Sequence, residues 1–263
     1  MKRLITAIGL LALAVYLIWW APMPVFLAAA LAMGLLCYRE YSDLVAAHSI
    51  VRPGLWGVLL GIFILFWPQR AFSGDLVIAC LTCLLIFTFI NALRFPVMRD
   101  ILPHAACVLL GAFYTFVPWR LAVVLREQSV HLLFFALALN WAGDTAAYYV
   151  GRAIGKHKLA PILSPKKSWE GAIASVAGSL ILGLLYLGHF TPDIPLWEII
   201  IMAVVGNVAG QLGDLAESAM KRGAGVKDSG NILPGHGGIL DRVDSSLFAI
   251  PIIYIIFIAS KFL

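Results

Sequence analysis

Charge is what this sequence has least of. Only 13% of its 263 residues are Asp, Glu, Lys or Arg, about half the roughly 25% that a soluble domain carries. Hydrophobic residues make up 62% and the mean hydropathy is +0.93, so the chain reads as a polytopic membrane protein. Cysteine is scarce as well. The four present, Cys37, Cys80, Cys83 and Cys107, all lie in apolar runs, which excludes a disulfide framework or a zinc knuckle in a hydrophilic loop. Cys80 and Cys83 form a CxxC on one face of an expected membrane helix, where packing fits better than redox chemistry. No hydrophilic domain or long linker interrupts the chain, and no nucleic-acid partner is expected.

What is present is a series of nine apolar segments, at 4–20, 22–38, 55–67, 76–91, 104–118, 131–150, 171–188, 196–212 and 245–260, each near the length that crosses a bilayer core of about 30 Å. The expected fold is all-α: a polytopic integral membrane bundle of about nine transmembrane helices, with residues 1–263 as one membrane domain. Met1-Lys2-Arg3 resembles the charged start of a signal peptide, but Ala-Pro-Met-Pro makes a poor cleavage site and a retained first helix is expected. If the N-terminus is cytoplasmic, fifteen of the nineteen Lys and Arg fall on that side. Only Arg70, Arg120, Arg126 and Lys261 are left for the other, a strong positive-inside bias. The two longest basic loops, 151–170 and 221–244, then share the cytoplasmic face, and the C-terminus lies on the far side.

Two spans carry polar stripes. Asn140, Asp144, Tyr148 and Arg152 recur every four residues and share one helix face. Asn207, Gln211, Asp214, Ser218 and Lys221 form a second stripe beside a ridge of Gly206, Gly210 and Gly213, which suits close helix packing. Interhelical hydrogen bonding accounts for Asn207 and Gln211. It does not account for Asp144 and Asp214, because a charge at mid-bilayer costs about 2.5–3.5 kcal/mol on insertion scales.

The stretch KDSGNILPGHGGILDRVDS, residues 227–245, concentrates charge and glycine. Lys221, Arg222, Lys227, His236 and Arg242 supply cationic or hydrogen-donating groups. Gly230, Gly237 and Gly238 permit tight turns in which backbone N–H groups cradle phosphate oxygens. Magnesium commonly takes one or two protein carboxylates and fills its remaining positions with water and substrate phosphates. Asp214 and Asp241, from neighbouring spans, are the expected pair, with Asp244 one turn further on. The other basic loop adds Arg152, Lys156, Lys158, Lys166 and Lys167, with Ser164 and Ser168 as hydroxyl donors. Gly151 to Lys156 is one residue short of a Walker A loop and is followed by His157 rather than Ser or Thr, so a P-loop is excluded.

The run Ser218-Ala-Met-Lys221-Arg222, Lys227-Asp228-Ser-Gly230, Pro234-Gly-His236-Gly237-Gly238 and Asp241-Arg242-Val-Asp244 resembles the signature of the phosphatidate cytidylyltransferases, or CDP-diacylglycerol synthases. Gln211-Leu-Gly-Asp214 and the segment Ser164-Pro-Lys166-Lys167-Ser168-Trp169-Glu170-Gly171 also resemble this family, which more often has threonine where Ser168 stands. The match covers roughly 140–245, inside a catalytic half at 131–263; residues 1–130 show no motif beyond their spans.

The resemblance implies transfer of CMP from CTP to phosphatidate, giving CDP-diacylglycerol and pyrophosphate in phospholipid biosynthesis at the plasma (bacterial inner) membrane. It implies Mg²⁺ at Asp214 and Asp241, with Asp244 as a further ligand or a positioning group, a second, monovalent cation (K⁺), and a homodimer. Lys221, Arg222, Lys227 and Arg242 are then expected at phosphates, joined by Lys166, Lys167, Ser168, Ser218, His236, Gly237 and Gly238. Asp144 is expected as a further metal-binding or site-organising carboxylate. Two rival readings remain: a CTP-dependent lipid-alcohol kinase and a transporter of an anionic substrate.

Overall fold

A computed structural model describes residues 2–67, 82–83, 85–90, 93, 97–233, 235 and 237–262. Eight α-helices have described bounds: α1 (Lys2–Trp19), α2 (Met23–Ala47), α3 (Leu55–Leu65), α4 (Ile101–Gln128), α5 (Val130–Ile154), α6 (Trp169–Phe190), α7 (Leu196–Gly223) and α8 (Leu240–Ala259). Six of the helical segments are long and apolar enough to cross a membrane, and two shorter apolar helices lie at Gly9–Trp19 and Leu55–Leu65. The bundle is helical as expected; half of the expected segment at 76–91 lies outside the described residues, and its described part, 82–83 and 85–90, is helical. One departure from an all-α chain is a small antiparallel hairpin, β1 (Lys158–Ala160) with β2 (Ser164–Ser168), inside the loop expected at 151–170.

Several helices run past their expected ends, the one at 196–212 as far as Gly223. The segment at 22–38 continues to Ala47, the one at 104–118 extends over Ile101–Gln128 with Pro118 inside it, and the one at 245–260 starts at Leu240. The 25 residues of α2, at a rise of about 1.5 Å each, outreach a hydrocarbon core of about 30 Å. Its last turns therefore carry Arg39, Glu40 and Asp43 to the membrane surface.

Helix starts follow local chemistry. Pro22 precedes α2, which also has proline in its first turn, and Pro195 precedes α7; proline's fixed φ suits a helix entry and its missing N–H is no loss there. Ser168 caps α6, its hydroxyl accepting from Gly171 N at 3.1 Å. Gly178 meets the Ala142–Ala146 face of α5, where a Cβ would come within 2.8 Å of the Ala146 methyl. On α7 a Cβ at Gly213 would come within 2.7 Å of Asp244 O. The glycine ridge is thus a packing surface, turned toward α5 and α8.

Large side chains with at most 1% exposure, among them Phe116, Phe135, Leu139, Leu187, Met202, Ile250 and Ile253, form the core. Away from the hairpin, Arg126 near the end of α4 donates to Ile18 O at 2.9 Å and Ala21 O at 2.5 Å, and Lys261 donates to Gln128 Oε1 at 3.0 Å. The C-terminal ends of α1, α4 and α8 therefore gather at one end of the bundle. The hairpin and the glycine-rich loop lie at the other.

Candidate active site

At the hairpin end, α5, α6, α7 and β2 enclose a cavity of about 340 Å³. Helical spacing brings its polar walls together: Asn140, Asp144, Tyr148 and Arg152 from α5 face Gln211 and Asp214 from α7. The hairpin folds back over this space and adds Lys166 and Lys167. Glu170 fixes that fold-back, accepting from His157 N and pairing with its ring Nδ1 at 2.7 Å, while Trp169 N donates to His157 O at 2.9 Å. Lys167 forms an ion pair with Asp214. Ser218 donates to the other oxygen of Asp214 at 3.4 Å.

The inner side of the cavity is a closed hydrogen-bond network. Asn207 donates to Ser175 at 3.0 Å and to Ser179 at 2.8 Å. Ser179 donates to Leu139 O at 2.7 Å, and Gln211 donates to Asn207 Oδ1 at 2.7 Å and Ala172 O at 3.2 Å. Asn140, only 4% exposed, lines the same cavity with an amide nitrogen that has no partner among the described residues. A buried donor of this kind asks for a ligand or a water.

The glycine-rich loop is organised around carboxylates of the protein itself. Asp241 Oδ2 accepts from Ser229 N at 2.9 Å, Ser229 Oγ at 3.0 Å and Gly238 N at 2.8 Å, and Oδ1 accepts from Lys221 at 2.5 Å. Lys221 also contacts the fully buried Glu217 at 2.5 Å. The N–H of Gly238, expected to cradle a phosphate, thus holds Asp241. Gly237 has φ +78°, which favours glycine, and a Cβ there would come within 2.7 Å of Asp241 Oδ2.

The expected residues therefore divide into two groups. Asp144, Arg152, Lys166, Lys167, Ser168 and Asp214 line the polar cavity. Asp241 lies outside that lining, its Oδ2 facing Ser229 and Gly238 and its Oδ1 accepting from Lys221, so the carboxylates that face the cavity are Asp144 and Asp214. Asp244 sits one turn into α8, its carboxylate accepting from Ser245 N at 2.7 Å. Arg222 donates to Val226 O at 3.0 Å and, like Lys227 and Asp228, is exposed. Arg242 lines a separate apolar groove of about 500 Å³ between α1, α2, α5 and α8. His236 lies outside the described residues. Among those described, no three His, Cys, Asp or Glu side chains converge as a ready-made metal cluster. The acidic groups facing the cavity are Asp144 and Asp214, a number that suits an ion sharing its coordination with substrate phosphates.

One buried carboxylate beside the glycine-rich loop carried no motif. Glu40 of α2, 2% exposed, accepts from Ile239 N at 2.9 Å and Leu240 N at 2.8 Å, and shares the single hydroxyl proton of Ser229, at 2.8 Å, with Asp241. The available signal is an acid next to a long apolar run, which invites a functional reading by default.

Residues 1–259 match the cytidylyltransferase family. The chain belongs to that family. Its relatives include proteins named phosphatidate cytidylyltransferase from Staphylococcus saprophyticus, 39% identical over 232 residues covering 85% of this chain and 87% of the relative. Those of Staphylococcus haemolyticus and Staphylococcus aureus are each 36% identical, over 234 and 236 residues, covering 86% and 87% of this chain and 87% and 88% of theirs. The match takes in the N-terminal helices, so it extends beyond the signature half.

Proposed function

We propose that this protein is a phosphatidate cytidylyltransferase that joins CTP and phosphatidate into CDP-diacylglycerol and pyrophosphate at the cytoplasmic face of the plasma membrane. The observation that carries this reading is the polar cavity, set among membrane-spanning helices and lined by both signs of charge, with Asp144 and Asp214 facing Arg152, Lys166 and Lys167. Two polyanions must be brought together there against their repulsion. One of them is a lipid, which accounts for a charged cavity walled by membrane helices.

The phosphatidate phosphate is already a nucleophile. One of its oxygens attacks the α-phosphorus of CTP; a new P–O bond forms there, and the bond from the α-phosphorus to the bridging oxygen breaks, that electron pair leaving with pyrophosphate. The residues position the reactants and balance charge. Lys166 and Arg152 contact phosphates, Lys167 exchanges its partner Asp214 for a phosphate oxygen, and Asn140 donates into the cavity. Asp214, with Asp144, would hold Mg²⁺, and a second, monovalent cation (K⁺) would share this centre. Bound Mg²⁺ supplies neutralisation of the triphosphate and of the departing pyrophosphate. Lys221, Asp241 and Asp244 shape the wall behind this cavity. The homodimer and the cytoplasmic placement of the N-terminus belong to the same reading, to be measured by mass of the purified particle and by labelling of single introduced cysteines.

Purified protein incubated with labelled CTP, phosphatidate and Mg²⁺ should put label into a CDP-lipid and release pyrophosphate. Release of CDP with an unlabelled phosphorylated lipid would instead mark a kinase, and movement of label into vesicles without pyrophosphate would mark a transporter. Asp214→Asn should lose the reaction while remaining folded, and full activity in that variant would refute its role.

A further inference from the structure

We infer that Glu40, on the second helix of the N-terminal half, is a positioning residue of the active site: it fixes the glycine-rich loop and the start of α8 by serving as the N-terminal cap that α8 lacks. The residue at the cap position of α8 is Ile239, whose side chain makes no capping bond. The first N–H groups of a helix need acceptors, and a carboxylate also complements the positive end of the helix dipole. Glu40 meets both needs from 199 and 200 residues away, accepting from Ile239 N and Leu240 N. Its contact with Ser229 Oγ continues to Asp241, because the same hydroxyl lies 2.8 Å from Glu40 Oε2 and 3.0 Å from Asp241 Oδ2.

The glycines of the loop carry the imprint of this contact. A Cβ at Gly230 would come within 2.7 Å of Glu40 Oε1, and one at Gly238 within 2.3 Å of Glu40 Oε2 and 2.2 Å of Ser229 Oγ. A larger side chain at either position would therefore displace the Glu40 carboxylate, and at Gly238 the Ser229 hydroxyl as well. The loop resembles an anion-binding nest, and two of the anions it encloses are Glu40 and Asp241. Since Asp241, Asp244 and Ser245 occupy the first turns of α8 and Ser245 lines the polar cavity, a shift of this helix start moves a wall of the site. Glu40 itself is outside the cavity lining and does not touch substrate.

The inference rests on the proposed cytidylyl transfer for its kinetic readout and is independent of it for its structural one. Glu40→Gln keeps the shape and removes the charge. It should lower kcat for CDP-lipid formation about tenfold or more, the scale of a lost charge-assisted hydrogen bond, with KM for CTP changed less than about threefold. Amide hydrogen exchange should speed up across 227–244 and stay unchanged in α6 and α7. Ser229→Ala, a smaller change that keeps the helix cap, should show both effects more weakly and covers the case in which Glu40→Gln does not fold. Normal kcat per folded molecule with unaltered exchange in the loop, in Glu40→Gln or, if that fails to fold, in Ser229→Ala, would overturn the inference, as would loss of protection spread evenly over all helices. If the wild-type protein makes no CDP-lipid but the exchange pattern is as stated, the assigned reaction fails and the positioning role stands.

Discussion

Replacing Lys221 by methionine removes the ammonium that lies between Glu217 and Asp241 while keeping an unbranched side chain. The three groups are buried, with side-chain exposures of 11%, 0% and 7%, and both contacts are 2.5 Å. Removing one member of such a pair costs about 3–5 kcal/mol, because a charge stays behind without compensation. The two carboxylates do not suffer equally. Asp241 retains the backbone donors of Ser229 and Gly238 and a share of the Ser229 hydroxyl, whereas Glu217 Oε1 already has no partner among the described residues. The penalty should therefore concentrate on Glu217, and adding Glu217→Gln to Lys221→Met should recover more than half of it. At about 2–4 °C per kcal/mol for a protein of this size, Lys221→Met should unfold about 6–20 °C below wild type, with the double variant in between. Thermal unfolding of the detergent-solubilised protein, followed by circular dichroism at one pH, measures this. A single variant melting within about 2 °C of wild type, or a double variant melting no higher than the single, would show that Lys221 is not the counter-ion that stabilises this cluster.

Two further outcomes are expected. Gly210→Ala places a Cβ within 2.1 Å of Asn140 Oδ1 and should cost about 1–3 kcal/mol as an overpacked contact, read as a lower unfolding temperature together with loss of activity. Ser168→Ala should cost about 1 kcal/mol through the lost cap of α6, whereas Ser168→Thr should keep the cap and stay near wild type in the same melt.

The polar cavity was the legible part of the site. Regular spacing put Asn140, Asp144, Tyr148 and Arg152 on one face and Gln211 with Asp214 on another, and both faces line the same space. The loop was legible in composition and not in its contacts. Its glycines read as phosphate cradles because backbone N–H groups serve any anion alike, and a sequence does not say that the anions are Asp241 and Glu40. Glu40 was hidden for a second reason: a span of bilayer length ends at 38, whereas α2 continues to Ala47 and keeps that carboxylate inside the bundle. The hairpin at 158–168 was hidden because its register depends on Glu170 holding His157, not on alternation of polarity.

The network of Asn207, Ser175, Ser179 and Gln211 has a consequence for the membrane as a barrier. Each of these side chains takes part in a hydrogen bond to a neighbouring helix, and Leu139, Leu187 and Met202, all at 0% exposure, pack in the core of the same helices. A wet, charged chamber sunk into a bilayer would otherwise invite a proton or ion leak. Such a plug would close the chamber toward the far side of the bilayer, so that the proposed polar chemistry could proceed within the membrane without a leak through it.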